Sequence, residues 1–424
     1  MFAQITSLLE HVAELDVQLI DSPYRDVADV ALANAKAALE TKLVDPDTCV
    51  EFEAPIKTLE WLVKFPTMSL TLDTFKHYIR HAPDAELIRL FLLLTDIDPS
   101  ANNNDAIRTA SAIGHVDVVR VLLADERVDP SANDNHAFCY ASQNGHADVV
   151  RVLLANARVD PSANRNYALR YASSNGHVDV VRVLLADGRV DPLIYDNCAI
   201  RCASENGHVE MVKLLLPRMD PSARDNDAIR VASENGHVDV VRVLLADPRV
   251  NPSAAHNDAI RLASANDEPD VVRVLLADPR VNPSAADNDA IRRASTYGLV
   301  EIVELLLADP RVDPTASNND AIRSASTYGH ADVVRVLLAD PRVDPTAADN
   351  YAIRVASAHG RADVVRVLLA DPRVDPTAAD NYAIRHAENA DVVKLLLADR
   401  RCKCANLQNF DWMHRKVMFL MNPQ

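Results

Sequence analysis

The sequence predicts an all-α fold: a helix-turn-helix solenoid of about ten repeats, with helical caps and short turns or minimal β-hairpins between repeats. Three observations carry that expectation. An Asp-Pro or Asn-Pro step recurs at Pro99, Pro130, Pro161, Pro192, Pro221, Pro252, Pro283, Pro314, Pro345 and Pro376, spaced by 31 residues except for 29 between Pro192 and Pro221. Between these steps the same pair of helical apolar patterns returns. Of nine glycines in the chain, eight (Gly114, Gly145, Gly176, Gly207, Gly236, Gly298, Gly329 and Gly360) occupy a single place in the unit. Self-similarity at such a period marks small supersecondary units that bury their apolar faces only against one another.

The stretch Asp220–Val250, DPSARDNDAIRVASENGHVDVVRVLLADPRV, serves as the type copy. Asp-Pro-Ser opens a turn, because Pro221 fixes its own φ and biases Asp220 away from helix. Asn226 then stands where a helix cap is expected, and Asn recurs there in every copy (Asn104, Asn135, Asn166, Asn197, Asn226, Asn257, Asn288, Asn319, Asn350 and Asn381). In that role its side-chain oxygen accepts from an orphan amide of the first turn, worth about 1 kcal/mol per helix.

The first helix is expected from about Asp227 to Asn235, packing Ala228, Ile229, Ala232 and Ser233, whose small size lets neighbouring helices approach. Gly236 ends it in the left-handed conformation. One unit has Asp267 at the glycine place and Pro269 at the start of the next helix; Asp tolerates that backbone better than most residues, and Pro suits a first helical position. The second helix, about Val238 to Ala246, is polar only at Asp239 and Arg242, which share one narrow wet stripe. Pro248, Pro279, Pro310, Pro341 and Pro372, in Asp-Pro-Arg, end it.

Helix, glycine stop, Gly-His, a second helix with Val-Val-x-x-Leu-Leu, then a turn: over residues 98 to 400 this resembles an ankyrin repeat. The run Asn235-Gly236-His237-Val238-Asp239-Val240-Val241-Arg242-Val243-Leu244-Leu245 is its most specific part. The family's Thr-Pro-Leu-His is replaced by Asp227-Ala228-Ile229-Arg230 or a variant, and the unit is two residues shorter than the family's ~33. The resemblance therefore implies short connections where the family projects a hairpin. Arg at its histidine place recurs at Arg108, Arg170, Arg201, Arg230, Arg261, Arg292, Arg323, Arg354 and Arg385, with Cys139 as the exception. This ladder is expected to bond turn carbonyls or Asp side chains of adjacent units.

Residues 1–72 read as a helical N-terminal cap, in which Val44-Asp45-Pro46 and Thr58–Val63 look like an eroded repeat. Residues 73–97 form a degenerate first repeat, since Ile79–Leu90 aligns without a gap to Ile384–Leu395 and both lack Gly-His. The array spans 98–399, and 400–424 reads as a C-terminal capping helix. Closed end faces are what a stack requires against water.

The formal charge of −17 repels phosphate backbones and anionic headgroups, so nucleic acid and membrane are excluded as default partners in favour of a protein with a basic surface. Glu10, Glu14 and Asp16 interrupt the apolar N-terminal residues, against a signal peptide. The six cysteines show no framework spacing, which places the chain as a monomeric array in the cytoplasm or nucleus, not secreted. No catalytic, cofactor or metal site is expected. The Gly-His histidines are read as structural because Leu299 and Arg361 stand in that slot; Cys198 and Cys202 lack a second pair to complete zinc and read as small buried thiols. Cys402 and Cys404 read as an exposed pair of redox interest.

Function is expected where copies differ. The two slots before the glycine vary most: Gln143 and Asn144, Ser174 and Asn175, Glu205, Glu234, Thr296 and Tyr297, Thr327 and Tyr328, Ala358 and His359. The resemblance implies that these lie on the inner concave surface, with Tyr297, Tyr328 and His359 as an aromatic strip. The slots after Asn and after Arg (Tyr167, Tyr351, Tyr382; Tyr140, Tyr171, Arg293, His386) are expected to be partly buried between units. The chain is thus expected to be a non-catalytic protein-binding scaffold or adaptor. The alternative is a substrate-recruiting subunit of a larger complex, such as a ubiquitin ligase, with its effector contact in the terminal regions.

Overall fold

A computed structural model describes residues 72–81, 85, 88, 89, 92 and 97–404. The expected N-terminal cap, and the C-terminal cap beyond residue 404, lie outside the described residues. Among those described, all regular structure is helical and no strand joins the repeats, so the connections are turns rather than hairpins. The chain divides after Tyr195 into two compact units, Met1–Tyr195 and Asp196–Gln424.

In the first unit, Leu72–His81 precedes three helix pairs: Ala101–Ile113 with Val116–Leu123, Ala132–Gln143 with Ala147–Leu154, and Ala163–Ser174 with Val178–Ala186. The division falls within the first turn of Ile194–Glu205, which pairs with Val209–Leu215. The second unit continues with Ala223–Glu234 and Val238–Leu245, Ala254–Ala265 and Pro269–Ala277, Ala285–Tyr297 and Val300–Ala308, Ala316–Tyr328 and Ala331–Ala339, Ala347–Ala358 and Ala362–Ala370, Ala378–His386 and Ala390–Ala398, then Arg400–Cys404. Within each unit, first helices pack on first helices and second on second.

The packed residues are those expected. Ala228, Ile229, Ala232 and Ser233 of the first helix and Val240, Val241 and Leu244 of the second are buried, and Val250 closes the turn beneath them. Burying each large aliphatic side chain contributes about 1.5–3 kcal/mol. The wet stripe of the second helix is broader than expected, since Val238, Val243 and Leu245 are only half-buried. Exposed i,i+3 pairs line it, such as Arg366–Asp363 at 2.5 Å and Lys213–Glu210 at 2.7 Å.

The Asn ladder has a different role from the expected cap. Arg224, Asp225 and Asn226, inside the range Ala223–Glu234, all adopt left-handed helical angles (φ 53, 56 and 58°) and kink it ahead of Asp227, and such a triplet recurs in each of the nine repeats in which all three residues are described. From that turn the nearly buried Asn side chain reaches the next repeat: Asn226 Oδ1 accepts from Asn251 N at 2.7 Å. The same bond recurs at 2.6–3.0 Å from Asn104, Asn135, Asn197, Asn257, Asn288, Asn319 and Asn350. No side chain caps the start of Ala223–Glu234; the Asp-Pro step before it is closed by its own turn, in which Asp220 Oδ1 accepts from Ser222 N at 2.9 Å and from Ser222 Oγ at 2.6 Å.

Left-handed backbone costs a non-glycine residue roughly 1–2 kcal/mol, eased for Asn and Asp by local hydrogen bonding. Ala286, exposed at φ 53°, has no such relief. Ala286→Gly is therefore expected to raise stability by about 0.5–1 kcal/mol, the strain relieved outweighing glycine's extra chain entropy. A higher urea midpoint at unchanged slope is the expected reading; a lower midpoint would contradict the left-handed turn.

The glycine stop is as expected. All eight repeat glycines have φ between 68 and 93°, Asp267 has φ 63°, and Pro269 opens its helix. The last repeat, without Gly-His, uses an ordinary cap: Asn389 accepts from Asp391 N and Val392 N.

Candidate functional site

The two slots before each glycine form the C-terminal end of the first helix. The second slot is exposed in every copy: Asn144, Asn175, Tyr297, Tyr328 and His359 all reach solvent. In the first slot, Gln143, Ser174, Thr296, Thr327 and Ala358 are half-buried, whereas Glu205 and Glu234 are exposed. Several of these side chains are engaged within the stack. Asn144 and Asn175 donate through Nδ2 to Ala112 O and Gln143 O at 2.7 and 2.9 Å. Gln143 Oε1 accepts from the Tyr167 hydroxyl at 2.6 Å, Thr296 and Thr327 donate to carbonyls four residues back, and His359 Nδ1 lies 3.0 Å from Val355 O. Tyr297 and Tyr328 differ from them: 57% and 55% exposed, they are the most exposed large apolar side chains among the described residues.

The carbonyl of the first slot receives the next repeat's histidine. His146, His177, His237 and His330 place Nε2 at 2.9–3.1 Å from Ala112 O, Gln143 O, Glu205 O and Thr296 O, which requires the proton on Nε2. Arg361 makes the equivalent bond from Nε to Thr327 O at 3.2 Å, which explains why arginine stands in that slot without harm. In the irregular unit Glu268 takes the place; burial first, then the Asp267 carboxylate, raise its proton affinity above the usual carboxylate range.

A second arginine series, not singled out from the sequence, ties the repeats on the other side. In each Asp-x-Arg turn after a second helix, the arginine forks onto the aspartate two residues before it and reaches back to the preceding repeat. Arg311 pairs with Asp309 at 2.6 Å while donating to Val281 O at 2.8 Å and Leu276 O at 2.9 Å. Arg189, Arg249, Arg280, Arg342, Arg373 and Arg401 do the same. The leucine carbonyls belong to the unpaired end of the previous second helix, where the helix dipole favours a cation.

These aspartates have a pH consequence. The arginine hydrogen bond holds the carboxyls of Asp125, Asp187, Asp247, Asp278, Asp309, Asp340, Asp371 and Asp399 below their ordinary value, although partial burial opposes it. A depressed folded value means stability fully present above the unfolded carboxyl value of about 3.9 and lost as pH falls through the folded one. Thermal midpoints are expected to hold from pH 7 to about 5 and fall steeply below about 4. Asp309→Asn with Asp340→Asn should flatten that acid limb; an unaltered limb would place the acid sensitivity elsewhere.

The Ala-Ile-Arg ladder bonds as expected in the second unit. Arg201, Arg230, Arg261 and Arg292 reach Asp227, Asp258, Asp289 and Asp320 of the following repeat at 2.7–2.9 Å. Where tyrosine replaces that aspartate the bond becomes a cation–π contact: Arg323 lies 4.9 Å from the Tyr351 ring and Arg354 4.8 Å from Tyr382. The carbonyls these two arginines reach are those of their own left-handed turns, such as Asp349 O at 3.1 Å from Arg354. In the first unit, His136, Tyr140, Tyr167 and Tyr171 stack in a row, with centroids 4.0, 6.4 and 4.1 Å apart. Tyr140, Tyr167, Tyr351, Tyr382 and Arg293 are half-buried as expected, but Tyr171 and His386 are exposed.

Two readings of the cysteines change. Cys402 is buried rather than exposed, and burial raises its thiol to about 11. Cys198 and Cys202 are only half-buried. Cys139 is buried, its thiol pushed up to about 12. Among the described residues no three His, Cys, Asp or Glu side chains gather as metal ligands, and no helix is long and apolar enough to cross a membrane.

The family model for ankyrin repeats (3 copies) matches overlapping segments 75–165, 107–196, 157–227, 200–287, 259–349 and 291–380. No curated protein matches the chain. Ankyrin repeats generally mediate protein–protein interaction, and the family is typically non-catalytic. The helix pairs, the glycine stop with its histidine from the next copy and a match running from residue 75 to 380 agree, and the chain belongs to the ankyrin repeat family.

Proposed function

We propose that this chain is a non-catalytic scaffold or adaptor that binds a protein partner along the C-terminal ends of its first helices, the face that the family resemblance places on the inner, concave side. The observation that carries the reading is the exposure of Tyr297 and Tyr328 at one slot of consecutive repeats, since soluble surfaces seldom leave large aromatics uncovered in register and interface cores favour tyrosine. The proposed contact set further comprises Gln143, Asn144, Ser174 and Asn175 in the first unit and Glu205, Glu234, Thr296, Thr327, Ala358 and His359 in the second. The excess of acidic residues favours a partner with a basic surface.

The test is affinity capture with the intact chain against a Tyr297→Ala, Tyr328→Ala, His359→Ala variant. Retention of the principal bound protein is expected to fall by about 10-fold or more, the loss of one or two aromatic anchors, with circular dichroism unchanged. An identical capture profile from a folded triple variant would remove the proposal.

A further inference from the structure

Cys198 and Cys202 stand one turn apart on Ile194–Glu205, on one face of the helix. Their Sγ atoms are 3.4 Å apart and both residues retain access to solvent. The next two copies carry Asp227 and Val231, then Asp258 and Leu262, at these slots, so the sulfur pair is not a requirement of the repeat.

The spacing decides what the pair can become. A disulfide draws the two Cβ atoms to about 3.5–4.5 Å, whereas positions i and i+4 of a helix hold them about 5–6 Å apart. A direct sulfur–sulfur bond would therefore have to distort the turn. One atom inserted between the sulfurs removes that conflict. A centre bonded to both sulfurs at about 2.3 Å, the zinc–thiolate length, subtends roughly 95° across the 3.4 Å separation. That angle suits a pyramidal three-coordinate centre; it is narrower than a tetrahedral angle and far from a linear one.

We propose that Cys198 and Cys202 form a chelating dithiol site for one soft, pyramidal, three-coordinate centre, the class represented by trivalent arsenic carrying an organic group. With an aryl arsenoxide, two arsenic–sulfur bonds replace the arsenic–oxygen bonding, and the two thiol protons leave with the oxygen as water. No electrons are transferred. The aryl carbon remains the third ligand, so the protein needs to supply only two. The Cys202 thiol, its proton held by the neighbouring Cys198 sulfur and by burial, is in the protonated form that this exchange consumes.

The test titrates phenylarsine oxide into the full-length chain with Cys49→Ser, Cys139→Ser, Cys402→Ser and Cys404→Ser, leaving the pair alone, and counts adducts by native mass spectrometry. One arsenical per chain is expected, removable by a dithiol competitor and not by a monothiol. Cys198→Ser or Cys202→Ser should weaken it by about 100-fold or more, because the second sulfur acts at high effective concentration. In the unsubstituted chain, the arsenical should shield both cysteines from alkylation in peptide mapping, a reading that needs no variant. Equal affinity in either folded single-serine chain, or no shielding, would overturn the site.

Discussion

Replacing Arg311 by alanine is expected to lower the stability of the second unit by about 2 kcal/mol, more than most surface substitutions in a repeat array. The arginine bonds Asp309 and two carbonyls of the preceding repeat at once. Hydrogen bonds to a charged group contribute about 1.5–3 kcal/mol each in favourable sites. The guanidinium is 37% exposed, and solvent screening reduces that sum. The larger share of the loss comes from what remains: Asp309, 12% exposed, without its counter-charge, and the helix-terminal Leu276 carbonyl and the turn carbonyl of Val281 without this donor. Arg311→Lys should recover less than half, because an ammonium cannot serve a carboxylate and two separate carbonyls with the geometry of a fork. Arg335→Ala is the internal comparison, a 63% exposed residue whose ion-pair partner among the described residues is Asp332, expected to change stability by no more than about 0.5 kcal/mol. Urea unfolding of the three chains decides the matter. An Arg311→Ala midpoint no lower than that of Arg335→Ala would mean that the inter-repeat clamp contributes nothing net.

The contrast between these arginines also shows what a reader of the sequence can and cannot see. Ala228, Ile229, Val240 and Leu244 announce their burial because apolar spacing maps directly onto helix faces, and Gly236 announces its backbone because few other residues enter that conformation. The Ala-Ile-Arg arginines were legible as a ladder because Arg recurs at one place in the unit, with Cys139 the exception. The Asp-Pro-Arg arginines were not, since their nearest sequence feature, a proline that ends a helix, already explains the motif. Their real partners lie about 30 residues back and are carbonyls, which carry no side-chain signature. Asn226 misled for a related reason. An Asn ahead of a helix has a standard local explanation, and the alternative became visible only with the left-handed turn that aims it at Asn251. The runs Asn102-Asn103-Asn104 and Asp349-Asn350 held a usable hint, because Asn and Asp are the side chains that best tolerate left-handed backbone. Within the candidate contact set, residue variation could not separate Asn144, whose amide is bonded to the preceding repeat, from Tyr297, which is largely uncovered.

Gly298→Ala is expected to cost about 2–3 kcal/mol, the combination of two separate effects that a second substitution can take apart. The first is backbone strain, since Gly298 has φ 79° and an alanine there carries a penalty of about 1 kcal/mol or more. The second is spatial: an added Cβ would sit 2.5 Å from His330 Nδ1, pressed against the ring that donates to Thr296 O. The imidazole must move, which breaks that bond and opens the contact between repeats. In a His330→Ala background only the strain remains, so Gly298→Ala should then cost about 1 kcal/mol, leaving a coupling of about 1–2 kcal/mol between residues of different copies. Gly360 supplies the natural control. Its φ of 68° imposes the same strain, yet its nearest neighbour would be Asn389 Cβ at 3.1 Å, with no ring to displace. Gly360→Ala should therefore resemble Gly298→Ala made without His330. Equal costs at Gly298 with and without the histidine would reduce the glycine to a helix stop. A measured coupling would make Gly-His a contact between neighbouring copies, in which each glycine leaves room for the histidine of the next.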